Sequence, residues 1–207
     1  MNFGWNLIGI GAWLLLMVYL VIIIQNIRHR HIRMIVMNKK TFSWKVLSKD
    51  LLLVVVFLAG FVFMTYQTLF SRVEVTAQDR VEVKYTTEPL VLQTSGDTGY
   101  MVTVARGEGR EAIQTYTYWT EGHRNQVKSI HASIATGSKP IPIGAKVYHF
   151  PNKMIKKADK QYNQAFAARV EATYKPGFWN GLGMKVGHNA LEYTMIRVPS
   201  STFVSED

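Results

Sequence analysis

Cysteine is absent from all 207 positions. That excludes a disulfide framework, a cysteine-ligated zinc or iron–sulfur centre and a thiol nucleophile. Acidic residues are also scarce, since 14 Asp and Glu stand against 24 Lys and Arg, for a net charge of +10. A surplus of that size raises nucleic acid or an anionic membrane surface as partner. Two long stretches near the N-terminus lack charge altogether, and there the apolar residues are bunched. No internal repeat and no low-complexity linker interrupts the chain, whose length suits one or two units.

The first uncharged stretch, Phe3 to Ile24, has 22 residues and the second, Leu51 to Phe70, has 20. At about 1.5 Å per residue each matches the roughly 30 Å hydrocarbon core of a bilayer. Each holds 13 Leu, Ile, Val or Phe. At the usual per-residue insertion energies these favour insertion by roughly 4 to 8 kcal/mol per stretch. The polar residues Asn6 and Thr65 to Thr68 fall near the ends, where the interface can solvate them, and Trp5, Trp44 and Tyr66 fall near the expected water boundaries. A cleaved signal peptide fits the first stretch poorly: no basic segment precedes it and no small-x-small site follows. A buried soluble helix fits the second poorly, because it has no polar face.

Between these blocks lie Arg28, Arg30, Arg33, Lys39, Lys40, Lys45 and Lys49, opposed by Asp50 alone. Short basic loops stay on the cytoplasmic side. The expected organisation is a transmembrane helix over 3–24, a basic cytoplasmic loop over 25–50, a second transmembrane helix over 51–70 and an extracytoplasmic domain over 71–207, in the plasma membrane. The seven cations are the candidate contacts to anionic headgroups of the inner leaflet. Ile32, Met34, Ile35, Val36, Met37, Phe42 and Trp44 could dip into the headgroup layer beside them. Most of the positive charge lies in this segment, so nucleic acid is not an expected partner. The pair His29 and His31 sits among arginines, which disfavours a metal cation.

After residue 70 the period changes. Val73 and Val75, then Val81, Val83 and Tyr85, alternate with charged residues as strands do. Further strands are expected over 100–105, 113–120, 127–135, 141–148 and 192–198, with Val170, Ala172 and Tyr174 alternating again before Pro176. A turn is expected at Ser95 to Gly99. One amphipathic helix is expected from Lys153 to Ala168, its apolar side made by Ile155, Ala158, Tyr162, Ala165 and Phe166 and its other side by lysines. The fold class is therefore membrane-anchored α+β: two N-terminal transmembrane helices, then a β-rich extracytoplasmic domain with one helix and mostly antiparallel neighbours.

Chemical motifs are few. His123, His131, His149 and His188 lie far apart, with no metal-ligand spacing. Gly181, Gly183 and Gly187 form G-x-G-x-x-x-G, one residue too long for a dinucleotide fingerprint. They are read as loop glycines that permit left-handed turns between strands. Ser200, Ser201 and Thr202 lack a nucleophile context. Nothing in the spacing of Glu108, Glu111, Glu121, Glu171 and Glu192 selects a glycosidase pair. No catalytic, cofactor or metal residue is assigned. Tyr116, Tyr118, Trp119 and Trp179 are the candidate binding surface for a sugar or peptide, with Tyr116 and Tyr118 on one strand face and Trp119 on the other.

The spans with Asn6-Leu7-Ile8-Gly9-Ile10 and Gln25-Asn26-Ile27-Arg28, the run Glu88 to Thr94, the strand Thr115 to Trp119 and the stretch Asn180 to His188 together resemble an uncharacterised family. Its members are small two-span membrane proteins of lactic-acid bacteria. The resemblance implies a Gram-positive plasma membrane and a domain facing the wall, and carries no functional residue. The leading expectation is a non-enzymatic envelope protein whose outer domain binds a membrane protein or wall polymer, the net charge favouring anionic polymers. The alternatives are an accessory subunit of a larger transporter or sensor complex, and a cell-wall hydrolase.

Overall fold

The computed structural model describes residues 3–38, 44–71, 77, 79–95, 98–106, 113–137, 141–142, 145, 148 and 150–206. The chain forms two compact units, one of residues 1–80 with 174–188 and one of residues 81–173 with 189–207.

The first unit is built on two helices, α1 (Asn6–Asn38) and α2 (Trp44–Thr65), the latter prolonged by a π-helical turn, Tyr66–Phe70. Both are long and apolar enough to cross a membrane. The 33 residues of α1 run for about 50 Å, well beyond a hydrocarbon core. The basic segment between the apolar blocks is thus helical to Asn38 and again from Trp44. Its helical form has a consequence. It brings Arg30 to 2.9 Å and His31 to 3.7 Å from the carboxylate of Asp50, which is buried in α2. The pair lies between the exposed and the fully buried case, so its rupture costs about 1–3 kcal/mol. Further along, Trp13 meets Phe61 edge-on at 5.7 Å, and Gly60 lets Leu16 come close. Leu14, Leu15, Val21, Leu52, Val62 and many like them point away from the protein.

The same unit takes in the connection from residue 174 to residue 188, including the short helix α4 (Phe178–Leu182), which packs against α1. Asn6 is not left for an interface to solvate, as its sequence position suggests. It is buried, and its amide donates to the Val186 carbonyl and accepts from the Val186 N–H, both at 3.1 Å. Asn180 is likewise buried and saturated. Its Nδ2 donates to the carbonyls of Arg80 and Lys175, and its Oδ1 accepts from the Arg80 guanidinium at 2.8 and 3.2 Å. The Lys185 ammonium donates to the Ser71 carbonyl. Burial, and secondarily the nearby Arg80 charge, lower the pKa of Lys185.

Glycines make this clasp fit. A Cβ on Gly9 would lie 2.7 Å from the Leu182 carbonyl oxygen, one on Gly183 would lie 2.9 Å from that of Gln67, and one on Gly181 would collide with the Trp5 carbonyl. The expectation of left-handed turns therefore holds for Gly187 alone, with φ +82°. Gly181 and Gly183 are needed because backbones approach there, and Met184 takes the other left-handed position.

The second unit has three layers. Its central sheet runs β1 (Val81–Pro89), β8 (Phe166–Tyr174), β9 (Asn189–Val198), β7 (Ala132–Thr136), and a second sheet runs β10 (Val204–Glu206), β4 (Val102–Arg106), β5 (Gln114–Thr120), β6 (His123–Lys128). A small hairpin pairs β2 (Gln93–Ser95) with β3 (Thr98–Tyr100). The pairings of β2 with β3, β4 with β5, β5 with β6 and β8 with β9 are antiparallel, in line with the expectation of mostly antiparallel neighbours, while β7 with β9 and β10 with β4 are parallel.

Helix α3 (Asn152–Gln161) covers one face of the central sheet, with Ile155 and Ala158 packed on Phe166, Ala168, Val170, Tyr193 and Met195. Its lysines are exposed. Arg197, pointing the same way, donates to Asp159 of α3 at 3.2 Å. The opposite face presents Ala167, Ile196 and Val198 to Val102 and Tyr118 of the second sheet. Strands β8 and β9 are thus buried on both sides, which explains their long apolar runs.

Three expected boundaries move. The helix ends at Gln161, because Asn163 and Gln164 both adopt left-handed backbone (φ +49° and +64°), and Ala168 lies in β8. The strand expected over 127–135 is two strands in different sheets, divided at 129–131 by a turn that no glycine or proline marks. Of the strand expected over 141–148, the described residues 141, 142, 145 and 148 are not in a strand. Ala145 is helical and fully buried, and Tyr148 lies in a turn and stacks on Tyr193 at 4.1 Å. Val73, Val75, Glu108, Glu111 and His149 lie outside the described residues.

Candidate binding face

Strand alternation divides the aromatics of β5. Tyr118 is 3% exposed and belongs to the core between the sheets, and Tyr116 packs against the same cluster. Neither can serve as an open stacking surface. Trp119 lies on the opposite face of the strand. There a concave surface of about 450 Å³ is lined by Tyr100, Thr103, Thr115, Thr117, Trp119, Arg124 and Gln126, with Ser205 at one side.

The register explains why these residues meet. Trp119 pairs with Arg124, Thr117 with Gln126, and Thr103 with Thr117, so the outward positions of β4, β5 and β6 form adjacent rows. The two-residue turn Glu121–Gly122, with Gly122 at φ +80°, fixes that register between β5 and β6. Tyr100, at the end of β3, meets Trp119 edge-on at 5.7 Å, and the Arg124 guanidinium stands 6.0 Å from the indole. Chemically the surface joins an aromatic ring and a cation to a carpet of hydroxyl and amide groups. Of these, Gln126 donates weakly to Thr117 at 3.4 Å.

A smaller cleft of about 260 Å³, lined by Glu88, Tyr118, Thr120, His123, Asn125 and Arg169, lies on the inner side. Burial disfavours the charge of Arg169, but Tyr118, Glu192 and Glu171 outweigh it and raise its pKa. Burial likewise raises the pKa of Tyr118, against the lowering influence of Arg169. Arg169 lies 3.5 Å from Glu171 and 3.7 Å from Glu192 and is thereby neutralised within the fold.

The remaining candidates are dispersed. Trp179 is half exposed on α4, in the helical unit, where it forms an edge-on pair with Phe178 at 5.4 Å. Arg28, Arg33, Lys45 and Lys49 are exposed, Arg30 is engaged by Asp50, and Lys39 and Lys40 lie outside the described residues. Among the described residues no three His, Asp or Glu side chains come together as a metal-holding group. Sequence reasoning missed Tyr100, Arg124, Thr103 and Gln126. The alternation of Thr115, Thr117 and Trp119 was the available signal, but the partner rows follow only from register.

The match of a family model extends over residues 4–205, almost the whole chain. The chain belongs to that family. The family is an uncharacterised one, as the resemblance implied. No curated protein and no solved structure matches the chain.

Proposed function

We propose that the protein is a two-span plasma-membrane protein that presents a non-enzymatic binding domain to the cell envelope. Helices α1 and α2 cross the bilayer, the basic segment between them stays in the cytoplasm, and the sheet unit faces outward. The wall-facing ligand is a polymer of sugars, including anionic ones, gripped on the outer face of β4, β5 and β6. The observation that carries this reading is the half-buried ring pair Tyr100 and Trp119 beside the exposed Arg124, all lining one concave surface with Thr103, Thr115 and Thr117. Aromatic rings stack on the apolar faces of sugars, hydroxyl and amide groups bond their rims, and the guanidinium attracts phosphate or carboxylate. The exposed apolar surface of the two helices supports the membrane placement, since water would penalise a patch of that extent.

The experiment uses the full-length protein in lipid nanodiscs. Titration with wall glycan fragments and with a polyanionic wall polymer is expected to give saturable binding. Trp119→Ala is expected to weaken it about tenfold, equivalent to about 1.4 kcal/mol. Absence of binding to either polymer, or equal binding by Trp119→Ala, overturns the reading. Threading is tested separately, because a chain without cysteine accepts single labels. A thiol at Lys45 should resist an impermeant reagent on intact cells, and one at His123 should react.

A further inference from the structure

The pair Phe178 and Trp179 is anomalous on α4. The helix buries Asn180, Gly181 and Leu182, yet leaves two large aromatic side chains 53% and 52% exposed, against each other. Their height along the helices is fixed by contacts within the same unit. Gly181 and Leu182 lie against Gly9 in the first turn of α1, Gly181 against Trp5, and Gly183 against Gln67 in the turn that ends α2. Asn6 ties Val186 to the same level. At that level Trp5, Tyr66, Leu69 and Phe70 are also exposed. The aromatic pair therefore continues an apolar rim around one end of the helix pair.

We propose that Phe178 and Trp179 form a third, non-spanning membrane contact, seated in the headgroup–acyl boundary of the leaflet that holds the start of α1 and the end of α2. This rests on the reading that α1 and α2 span the bilayer. The chemistry fits one occupant, a lipid interface. Indole and phenyl rings favour that zone because their bodies are apolar and the indole N–H can still reach water or a headgroup. The polar groups of α4 are already satisfied inward by Arg80 and Lys175, so the outward side offers rings alone. The contact makes the connection between β8 and β9 a monotopic anchor, clamped to the spans by Asn6 and by three glycines.

Single cysteines at Phe178 and Trp179, spin-labelled in the full-length protein in phosphatidylcholine–phosphatidylglycerol vesicles, test this. Oxygen, which partitions into lipid, should relax these labels more than a water-soluble nickel chelate does, whereas Lys153→Cys on α3 should show the reverse preference. Leu15→Cys, at mid-span, serves as the control for the helices. If Leu15 is lipid-accessible but 178 and 179 match Lys153, the third contact is overturned and the spans stand. If Leu15 itself matches Lys153, the spanning reading falls first. Labels at 178 and 179 shielded from both reagents indicate cover by protein and also overturn the proposal. A label-free readout guards against misfolded variants. Lipids brominated near the headgroup should quench the native protein more than Trp179→Phe, and equal quenching overturns the contact.

Discussion

The two units reverse each other's polarity. In the helical unit, Leu14, Leu15, Leu52 and Val62 point outward, while Asn6, Asp50 and Asn180 are buried. In the sheet unit, Phe166, Met195, Ile196 and Val198 are buried, and the lysines of α3 face outward. The difference fits the proposed membrane placement, in which each unit is ordered against a different surrounding. The sheet unit gains from removing apolar surface from water. If they span the bilayer as proposed, two helices covered in leucine and valine gain little of that kind from each other, and their cohesion then rests on close backbone approach, hydrogen bonds and the Arg30–Asp50 pair.

The largest test strikes the sheet unit. Phe166 is fully buried between the central sheet and α3. Phe166→Ala should destabilise that unit by about 3–5 kcal/mol, read by chemical denaturation in micelles. The helical content of α1 and α2 should survive it. Simultaneous loss of both units would break the comparison.

The matching test on the helical unit removes a polar group. Asn6→Ala leaves both backbone groups of Val186 without their partner and should cost about 2–4 kcal/mol. Asn6→Leu, despite greater apolarity, should be no better. If it stabilised the unit instead, ordinary apolar burial would hold the clasp. Next comes Gly181→Ala, whose added methyl meets the Trp5 carbonyl. A cost of about 1–3 kcal/mol is expected, seen as easier proteolysis of the 174–188 segment. An equivalent change at Gly122, where a Cβ has open space but φ is +80°, should act through backbone strain alone and only on the β5–β6 turn.

The smallest effect is a pH dependence of the sheet unit. Burial raises the pKa of Tyr118 above that of the unfolded chain. The stabilisation linked to its protonated form is complete below about pH 10 and is lost as pH rises through the folded value. Tyr118→Phe should therefore flatten the alkaline end of the stability–pH curve, measured by denaturant midpoints between neutral and strongly basic pH. An unchanged slope would assign the alkaline loss to other groups such as Tyr193, whose pKa burial also raises.

Legibility followed the range of the interaction. Alternation in Val81 to Tyr85 and in Thr115 to Thr120 marked β1 and β5, and placed Trp119 opposite Tyr118. The spacing of Ile155 and Ala158 marked α3, but its end depended on two left-handed residues, Asn163 and Gln164, which periodicity overran. The turn at 129–131 carries no special residue. It is held instead by Ser129, whose N–H donates to the Gln114 carbonyl and whose hydroxyl accepts from the Gln114 N–H. Of the candidate face, one tryptophan was legible. Arg124, Gln126 and Tyr100 join it through pairing between strands, which local sequence does not encode.

By itself the sequence determined which parts avoid water: uninterrupted apolar runs make helices suited to a membrane, and period-two alternation makes half-buried strands, since both follow from side-chain transfer energies summed over neighbours. Only the tertiary structure decided that Asn6 is a buried clasp on Val186 and not a solvated side chain, that Gly9, Gly181 and Gly183 mark crossings of backbone, and that residues 174–188 belong with the helices. Asn6 and Val186 are 180 positions apart. A contact across that distance is set by how the whole chain packs, and no periodic pattern along the chain can announce it.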